Sequence, residues 1–376
     1  MPTRADGPDL VVVGGGPAGL AVAVNARLAG LGVTVLDRRQ PPVDVACGEG
    51  VMPEGVAALL RLGVHLGPGG AMPFRGIRFV GDGVSAEGTF PSGDGLGIRR
   101  TTLHGALAER AGALGAELRW GVKVTGLAPH GLETDGGVVS GRLVVGADGR
   151  VSNVRKWAGL DGLPARRRRF GVRRHVDVEP WTDRVEVYWA DGAEAYVTPV
   201  GPRCVGVALL WSSERADFDR LITRFPGLHE RIHRAAVLSD DRGAGPLEQR
   251  ARDVVAGPVA LVGDASGYVD AISGEGLGLA FRQAEALVAA YRQGDLAAYR
   301  EAHRRIARHP SRMTRLLLLL SDHPRLRRRV LRRLAEQPDL MTRFLAIKAA
   351  PGGPRLMGRD GLARLAWATV VEGRHG

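Results

Sequence analysis

The sequence predicts an α/β fold with a discontinuous Rossmann-like domain, an inserted antiparallel β-sheet and a helical C-terminal region. Three patterns in the 376 residues indicate this architecture. A short apolar run at 9–13 leads through a Gly-rich turn into a helix-forming segment and a second apolar run, which is the order of a βαβ unit. Between 184 and 211 apolar and polar residues alternate, which is the period of a half-buried antiparallel sheet. A third apolar run at 259–262 precedes another Gly-rich turn and a segment of helical periodicity.

These patterns divide the chain into four segments. We expect residues 1–165 and 250–299 to form the Rossmann-like domain and residues 166–249 to form the inserted sheet. Residues 300–376 are expected to form a basic helical region. Breaks between its helices are predicted at the prolines, which are Pro310, Pro324, Pro338 and Pro351.

The positive charge of the chain is concentrated in two places. The formal net charge is +12, and all but three of the 52 basic residues are Arg. Residues 300–348 hold 14 basic and 4 acidic side chains, and residues 166–174 hold six Arg and no acid, so the remainder is net negative. This distribution excludes a uniformly basic surface for nucleic acid. The apolar residues at 326–334 are expected to pack on the body of the protein, with contact to an anionic membrane as the alternative.

Cys47 and Cys204 are too few cysteines for a disulfide framework, which favours a reducing cytoplasm. The start of the chain lacks the basic and apolar regions of a signal peptide, and the Leu run at 316–320 is too short to cross a bilayer. We therefore expect a cytoplasmic protein that is peripheral to a membrane at most. The histidines lack metal-ligand spacing, so no metal site is predicted.

The first Gly-rich turn has the spacing of a dinucleotide-binding fingerprint, Gly14-x-Gly16-x-x-Gly19, with Pro17 and Ala18 inside it. Gly14 permits the tight turn, and Gly16 lets the backbone approach a pyrophosphate. Gly19 allows the helix to pack closely on the strand. The helix start then offers free N–H groups and the positive end of its dipole to phosphates.

An acidic residue follows the fingerprint at the expected distance. Asp37 ends the second predicted strand, 18 residues after Gly19, where its carboxylate can accept hydrogen bonds from ribose hydroxyls. Arg38, next in the chain, is included in the predicted site. No second fingerprint follows a strand, so a nicotinamide cofactor is expected to dock only transiently.

Two later segments resemble those of the flavoprotein aromatic hydroxylase superfamily, which includes the single-component flavin monooxygenases and the geranylgeranyl reductases. Residues 145–155 resemble its GADGxxSxVR segment, and residues 261–265 resemble its second FAD motif. With the Gly-rich turn, the three motifs come in family order along most of the chain. The resemblance implies FAD as the cofactor and NAD(P)H as a transient reductant.

The resemblance also implies roles for individual residues. Asp264, next to Gly263, is similar to the aspartate that binds the ribityl chain, and Asp148 resembles the aspartate of the GADG segment. Arg100 resembles an arginine near the pyrophosphate, and Val124 lies where relatives contact the adenine. For Asp148 and Asp264 the alternative is a turn or helix-capping role.

The second Gly-rich turn, with Gly274 and Gly276, opens the helix at Leu277. A helix N-terminus at this position can stabilise the negative charge of reduced flavin. The hydroxylases usually read GDAAH…P…GQG, and this chain departs from that pattern at Gly267, among other positions. Residues 46–50, Ala-Cys-Gly-Glu-Gly, are closer to the CGEG segment of the geranylgeranyl reductases.

Cys47 and Glu49 are the candidate catalytic residues. Cys47, near the N-terminus of the following segment, is expected to have a lowered pKa and to act as a proton donor, or it is a small buried apolar residue. Glu49 can exchange a proton, or it caps the helix that follows it. Cys204 is expected in the core. Aromatic residues on the inserted sheet either belong to the core or line an apolar substrate pocket, and the pocket candidates are Tyr188, Tyr196 and Trp211.

Three functions stay open. The sequence favours a monooxygenase that hydroxylates or epoxidises an apolar or aromatic small molecule through a flavin C4a-hydroperoxide, because this single-dinucleotide architecture is widely used for oxygenation. The alternative is a geranylgeranyl-reductase-like enzyme, in which FAD delivers hydride to a carbon–carbon double bond and Cys47 or Glu49 protonates the adjacent carbon. The third function is non-catalytic, a basic flavoprotein that binds polyanions or a membrane.

Overall fold

The computed structural model of the chain describes residues 7–162, 164–212 and 216–349, and for residues 347–349 only the backbone. The first part opens on the predicted strand, helix and strand. Its elements, in chain order, are β1 (Leu10–Val13), α1 (Pro17–Leu28), β2 (Val33–Asp37), β3 (Gly50–Val51), α2 (Pro53–Arg61), β4 (Met72–Phe74), β5 (Gly76–Gly81), β6 (Val84–Thr89), β7 (Gly95–Gly97), α3 (Arg100–Ala113), β8 (Glu117–Trp120), β9 (Val124–Ala128), β10 (Gly131–Thr134), β11 (Gly137–Ser140), β12 (Leu143–Gly146) and α4 (Asn153–Trp157).

The second part is mostly strand and the third mostly helix. The second part contains β13 (Arg169–Asp177), β14 (Arg184–Ala190), β15 (Ala193–Gly201), β16 (Cys204–Ser212), α5 (Phe218–Ile222), α6 (Pro226–Ile232), β17 (Ala236–Val237) and β18 (Arg242–Ala244). The third contains β19 (Val255–Ala256), β20 (Val259–Leu261), α7 (Gly276–Arg292), α8 (Leu296–Asp322), α9 (Pro324–Glu336) and α10 (Pro338–Ala349), with short 3-10 turns at Gly263–Ser266 and Ala271–Ser273.

A six-stranded sheet of order β19-β20-β12-β1-β2-β8 forms the core of the Rossmann-like part. All four residues of β1 are buried, and they alternate between a cluster shared with α1 and α7 and a cluster shared with β10 and α4. Strands β20, β12, β1 and β2 run parallel, so their carboxyl ends meet at one edge of the sheet. The Gly-rich turn, Asp37, Asp148 and Asp264 lie at or just after those strand ends, where open α/β sheets bind ligands.

A second sheet has the strand order β17-β13-β16-β15-β14-β5-β6, with β18 on β13, and only its β14–β5 pair is parallel. The predicted antiparallel sheet at 184–211 is confirmed as β14, β15 and β16. β5 and β6 extend this sheet, although their short segment was expected within the Rossmann-like domain. One face packs under α5 and α6, and the other packs under α8, α9 and α10.

Two of the predicted breaks between the C-terminal helices are confirmed, since α9 begins at Pro324 and α10 begins at Pro338. The predicted break at Pro310 is wrong, since α8 continues through it. Proline removes one backbone hydrogen bond from a helix. Met313 and Leu317 after Pro310 and Tyr299 before it pack in the core, and this packing keeps the helix continuous. The predicted break at Pro351 lies outside the described residues.

The Arg-rich run at 166–174 is not a free basic surface, because acidic side chains pair with most of it. Arg169 is buried between Glu194 and Asp270, and Arg174 binds two aspartates. The run therefore joins the inserted sheet to its neighbours. Within the ranges that the structure describes, no helix has both the length and the apolar character needed to cross a membrane.

Candidate functional site

The Gly-rich turn between β1 and α1 has no room for a side chain at two of its fingerprint positions. Gly14 has φ +107°, and a Cβ placed on it would lie 2.4 Å from the carbonyl oxygen of Ala147. A Cβ on Gly19 would lie 1.9 Å from the carbonyl oxygen of Gly14. Both glycines therefore serve the tight turn and the close packing of α1 on the sheet.

Gly16 differs, because its missing side chain faces open space. Of the atoms within 4 Å of a Cβ built there, the nearest is Nη2 of Arg100, at 3.7 Å. α1 starts at Pro17, and no side chain caps its first turn. The first N–H groups of this helix are therefore left for a ligand, in the manner of an anion site at a helix N-terminus.

Asp37, at the end of β2, fastens the Gly-rich turn. Its Oδ2 accepts a hydrogen bond from the backbone N–H of Gly15 at 2.8 Å, and Arg39 donates to it from both backbone and side chain. Burial by itself would raise the pKa of Asp37, but the Arg39 and Gly15 donors outweigh it and hold that pKa below its ordinary value. Arg38 is exposed. Contacts of Asp37 and Arg38 with a nucleotide stay predictions.

Two residues of α3 support the same turn. The guanidinium of Arg100 reaches Gly16, and its buried Nε has no hydrogen-bond partner among the described residues. His104, one helical turn later, is fully buried, and its Nε2 lies 2.9 Å from the carbonyl oxygen of Gly15. Burial lowers the pKa of His104, so the neutral ring donates this bond. The sequence analysis gave His104 no role, although its i+4 spacing from Arg100 places both on one helix face.

Asp148 has the helix-capping role that was the alternative in the sequence analysis. Its carboxylate accepts hydrogen bonds from Ser152 Oγ at 2.5 Å and from the backbone N–H groups of Asn153 and Val154 at the start of α4. Burial raises the pKa of Asp148, and these donors oppose the rise. A cofactor contact of Asp148 stays a prediction.

Asp264 has a different environment, because no described residue donates a hydrogen bond to its carboxylate. Burial raises its pKa, and the positive charges of Arg100 and Arg150 oppose the rise. Arg155, which is 2% exposed, donates to the carbonyl oxygen of Ala265 and ties the GADG segment to the turn that carries Asp264. An acceptor with two nearby cations and no donor is free to bind ligand hydroxyls.

A buried hydrogen-bond network of Gln283 and His303 supports the turn that carries Asp264. The backbone N–H of Gly263 donates to Gln283 Oε1 at 2.8 Å, so the amide nitrogen of Gln283 faces His303 Nε2 at 3.1 Å. An amide NH₂ group only donates, so His303 Nε2 must be the unprotonated acceptor. Ser266 Oγ also lies 2.9 Å from this nitrogen. α8 thus contributes His303 to the support of a predicted cofactor motif, a contact that the sequence analysis missed.

This geometry predicts a loss of stability in acid. Burial lowers the pKa of His303 to about 4, whereas the unfolded chain titrates near 6.5. The neutral ring of His303 therefore contributes to the free energy of unfolding, and this contribution is complete above pH 6.5. It is lost as the pH falls from about 6.5 to about 4, on the order of 3 kcal/mol in total. Unfolding by urea at several pH values measures it. His303→Gln keeps a hydrogen-bonding group there but does not titrate, so its stability should fall less over that range. If the free energy of unfolding of wild type and of His303→Gln changes with pH in parallel, His303 is not the group responsible for the loss.

The second Gly-rich turn ends at Gly274, which has φ +67°, and α7 begins at Gly276 as predicted. A Cβ on Gly274 would lie 3.5 Å from Met52 Cε, so this turn meets the start of α2. The cavity between them is lined mostly by apolar side chains, which include Val51, Met52, Pro53, Phe90, Leu277 and Leu345. The N-terminus of α7 therefore opens on an apolar cavity.

Cys47 lies in the loop before β3, half-buried, and its Sγ accepts a hydrogen bond from the backbone N–H of Glu49 at 3.3 Å. The expected lowering of the Cys47 pKa is wrong, because burial raises the pKa of this thiol. The guanidinium of Arg100 opposes the rise, and the carboxylate of Glu49 adds to it. The thiol is therefore protonated at neutral pH. This is the form that a proton donor needs and a nucleophile does not.

Glu49 is 2% exposed and does not cap α2, so that alternative is wrong. Its backbone is left-handed, with φ 57°, which turns the side chain away from α2 and toward the inserted sheet. Oε1 accepts the backbone N–H of Arg100 at 2.7 Å, and Oε2 lies 2.5 Å from Nε2 of His175. The sequence analysis missed His175, because only the packing of β13 on this loop brings it to Glu49.

The three candidate pocket aromatics lie on opposite faces of the inserted sheet. Tyr196 faces the cofactor turns, and its hydroxyl donates to the carbonyl oxygen of Ile272 at 2.9 Å. Tyr188 and Trp211 point to the other face, where they pack in the cluster under α5 and α6. For Tyr188 and Trp211 the core alternative holds, because side chains alternate between faces and Tyr196 stands opposite Val187 rather than Tyr188.

Two further residues complete the predicted set. Val124 begins β9 and is half-buried, and its contact with an adenine stays a prediction. Cys204, expected in the core, is half-buried at the start of β16, and Arg99 Nη1 lies 3.8 Å from its sulfur. The core prediction fails there because the residue lies next to a turn rather than within the strand.

Comparison with known proteins places these features in a family. A model described as "FAD binding domain" matches residues 8–309. The chain is 30% identical over 306 residues to a menaquinone reductase of Mycolicibacterium smegmatis, and the match covers 74% of each chain. It is 26% identical over 299 residues to a rifampicin monooxygenase of Rhodococcus hoagii, and this match covers 73% of this chain and 62% of the other.

A solved structure confirms the predicted fold class. The crystal structure of a flavoprotein/dehydrogenase from Cytophaga hutchinsonii superposes with a TM-score of 0.83 at 18% identity. The match covers 99% of this chain and 100% of that one. At this identity the likeness concerns the fold alone.

Proposed function

The chain belongs to the FAD binding domain family and is an FAD-dependent oxidoreductase, and we propose that it reduces a carbon–carbon double bond in an apolar small molecule. The thiol of Cys47, half-buried in the loop before β3, bonded to Glu49 N–H and near Arg100, carries this proposal.

The residues at the edge of the six-stranded sheet fit FAD. The open space at Gly16, the unpartnered Nε of Arg100 and the first turn of α1 suit a pyrophosphate. The free carboxylate of Asp264 suits the hydroxyls of a ribityl chain. We expect Asp37 to serve the ribose while it holds the turn. NAD(P)H as the transient reductant is part of the proposal and rests on the family resemblance alone.

The chemistry of double-bond reduction calls for a group such as Cys47. When bound and reduced, FAD supplies a hydride to one carbon of the double bond. The second carbon then needs a proton, and an apolar site holds no bulk water to give it. The half-buried thiol of Cys47, which keeps its proton at neutral pH, meets this need. After donating, it returns to the thiol form by taking up a proton from solvent.

The cavity supports an apolar substrate. Its walls include Val51, Met52 and Phe90 from the first part of the chain and Leu277 at the start of α7. Contact with these walls brings hydrophobic stabilisation. The polar part of the lining consists of Glu54, Glu275 and Arg282. The reductase relative also supports reduction, since the match covers the same share of both chains, whereas over a third of the monooxygenase relative lies outside the match.

Oxygenation, which the sequence analysis favours, is the second candidate. The monooxygenase relative and the apolar walls of the cavity speak for it. Cys47 has no evident part in this reaction.

The products formed with and without air distinguish the two functions. The holoenzyme is supplied with dithionite and a panel of unsaturated polyprenyl compounds, under argon and under air, and the products are identified by mass spectrometry. We expect a product that has gained two hydrogen atoms and that forms under argon. A product that has gained an oxygen atom and forms only in air would overturn the proposal in favour of the second candidate.

A further inference from the structure

The long helix α8 turns a basic face toward solvent. Its exposed side chains recur at intervals of three and four residues, so they lie within about a third of the helix circumference. Residues 302–321 hold five arginines and no acidic side chain. The basic face of α8 consists of the exposed residues Arg304, Arg305, Arg308, Arg312, Arg315, Leu316 and Leu319.

Most of the positive charge on this face is not balanced by the rest of the described chain. Arg305 lies 4.0 Å from Glu301, one turn earlier in the helix. The remaining four arginines of the face form no ion pair with any residue that the structure describes. In the Arg-rich run at 166–174, by contrast, Arg169 and Arg174 are paired with acids. The charge of the basic face is therefore available to an external anion, and guanidinium groups match the oxygens of phosphate.

Leu316 and Leu319 give the basic face an apolar part. They are 38% and 42% exposed, whereas Leu317 and Leu318 between them are buried. A single exposed leucine is ordinary on a protein surface. Two of them, one turn apart and beside unpaired arginines, are typical of a helix at a lipid interface, where phosphates meet the cations and acyl chains meet the leucines. A nucleic acid offers phosphates to the arginines but has no apolar layer for the leucines.

The inner side of α8 holds this face in one orientation. Met313 packs in the core, and Thr314 Oγ1 lies 3.0 Å from Ser273 Oγ on the second Gly-rich turn. Because the helix is continuous, the basic face extends about 22 Å from Arg304 to Leu319. A continuous face of this length can contact several lipid headgroups at once.

The apolar residues at 326–334, for which the sequence left a membrane contact open, are not free to make one. Val330, Leu331 and Leu334 are buried in the cluster that α9 shares with the inserted sheet. A lipid contact of the C-terminal region therefore requires other side chains, and the basic face of α8 offers them.

We propose that the basic face of α8 docks the protein on a bilayer that contains anionic phospholipid. The arginines bind the lipid phosphates, and Leu316 and Leu319 enter the boundary between headgroups and acyl chains. This inference goes beyond the proposed function and does not depend on it, because docking is measured without turnover.

Co-sedimentation of the FAD-loaded protein with vesicles tests the docking. One set of vesicles is phosphatidylcholine alone, and the other is an equal mixture of phosphatidylcholine and phosphatidylglycerol. We expect the protein to pellet with the mixed vesicles at low salt and to stay in solution with the neutral ones. Combining Arg308→Gln, Arg312→Gln and Arg315→Gln should weaken binding about a hundredfold, because each basic side chain near an anionic surface raises the affinity about fivefold.

A matched control removes three positive charges elsewhere on the surface. Lys156, Arg234 and Arg252 are exposed and form no ion pair with a described residue. Their combined replacement by glutamine gives the same net charge as the α8 variant, and this protein should bind the mixed vesicles much as the wild type does. Flavin absorbance and thermal unfolding report whether each variant is folded. Equal losses in the two glutamine variants would overturn the inference, because net charge alone would then account for binding.

The leucines distinguish lipid from other polyanions. Leu316→Ser with Leu319→Ser keeps every arginine, so retention on heparin should equal that of the wild type, while binding to the mixed vesicles should fall at least about tenfold. Equal recovery with neutral and mixed vesicles would overturn the inference, as would a serine variant that binds the mixed vesicles like the wild type. Binding to short duplex DNA without binding to vesicles would assign the face to nucleic acid instead.

Discussion

Replacement of Cys47 by serine is expected to lower turnover at least about a hundredfold while FAD stays bound, which is the loss typical for removal of a general acid. Serine is similar in size, and its hydroxyl can accept the hydrogen bond that Glu49 N–H now donates to the sulfur. It is a far weaker acid than a thiol, so it cannot deliver the proton. Steady-state product formation under argon measures the effect, and the flavin absorbance of the purified variant reports cofactor content.

Cys204→Ser is the matched control for this experiment. Cys204 is half-buried beside Arg99 at the start of β16, and its replacement should leave turnover close to that of the wild type. Equal activity in Cys47→Ser and wild type would remove the thiol from the mechanism. A loss in which FAD content falls in parallel would mean that Cys47 supports cofactor binding instead.

Replacement of Gly16 by valine is expected to weaken FAD binding about a hundredfold or more, equivalent to about 3 kcal/mol or more of binding free energy. The backbone at Gly16 has φ −74° and ψ 178°, which any residue adopts, so valine causes no strain there. Its side chain would instead occupy the space beside Arg100 in which the pyrophosphate is expected. Fluorescence titration of the apoprotein with FAD measures the affinity.

Two other glycine variants show whether this loss is specific. Gly19→Ala would force a Cβ to within 1.9 Å of a backbone oxygen, so it should lower the stability of the fold itself. Gly105→Val, on α3 with open space around it, should alter neither FAD affinity nor fold. Normal FAD affinity in Gly16→Val would contradict the location of the pyrophosphate site.

The parts of the fold and site that the sequence predicts are those that short-range patterns specify. Gly14, Gly16 and Gly19 lie in one turn, and their spacing indicates their separate roles, which the local geometry of the turn matches. The order of strands and helices likewise follows from hydrophobic periodicity. The break expected at Pro310 fails because tertiary packing of α8 outweighs one lost backbone hydrogen bond.

The residues that the sequence analysis missed depend on contacts between distant segments. His175 meets Glu49 across 126 residues, and His104 meets the Gly-rich turn across 89. No local pattern distinguishes them from other buried histidines. For Tyr188 and Trp211 the sequence leaves core and pocket open, because residue type alone does not tell which face of a sheet will cover the cofactor. That choice depends on strand register, which only the assembled sheet settles.

The Arg-rich run at 166–174 shows that local charge in the sequence does not predict a basic surface either. Its six arginines predict a basic patch, but Arg169 and Arg173 point inward and pair with acids from distant parts of the chain. Alternation along β13 puts these two on the face toward the cofactor loops, and Arg174 on the other face. The charge of the run thus binds parts of the molecule to one another.

Reoxidation of the reduced enzyme in the absence of oxygen tests the central claim most directly. The holoenzyme is reduced with dithionite, freed of excess reductant and mixed under argon in D₂O with an unsaturated apolar substrate, while flavin absorbance is followed. The account predicts that the flavin reoxidises at a rate that depends on substrate, and that a saturated product forms which carries solvent deuterium at the carbon that Cys47 protonates. Flavin that stays reduced with every substrate until oxygen is admitted, and then yields an oxygenated product, would contradict it.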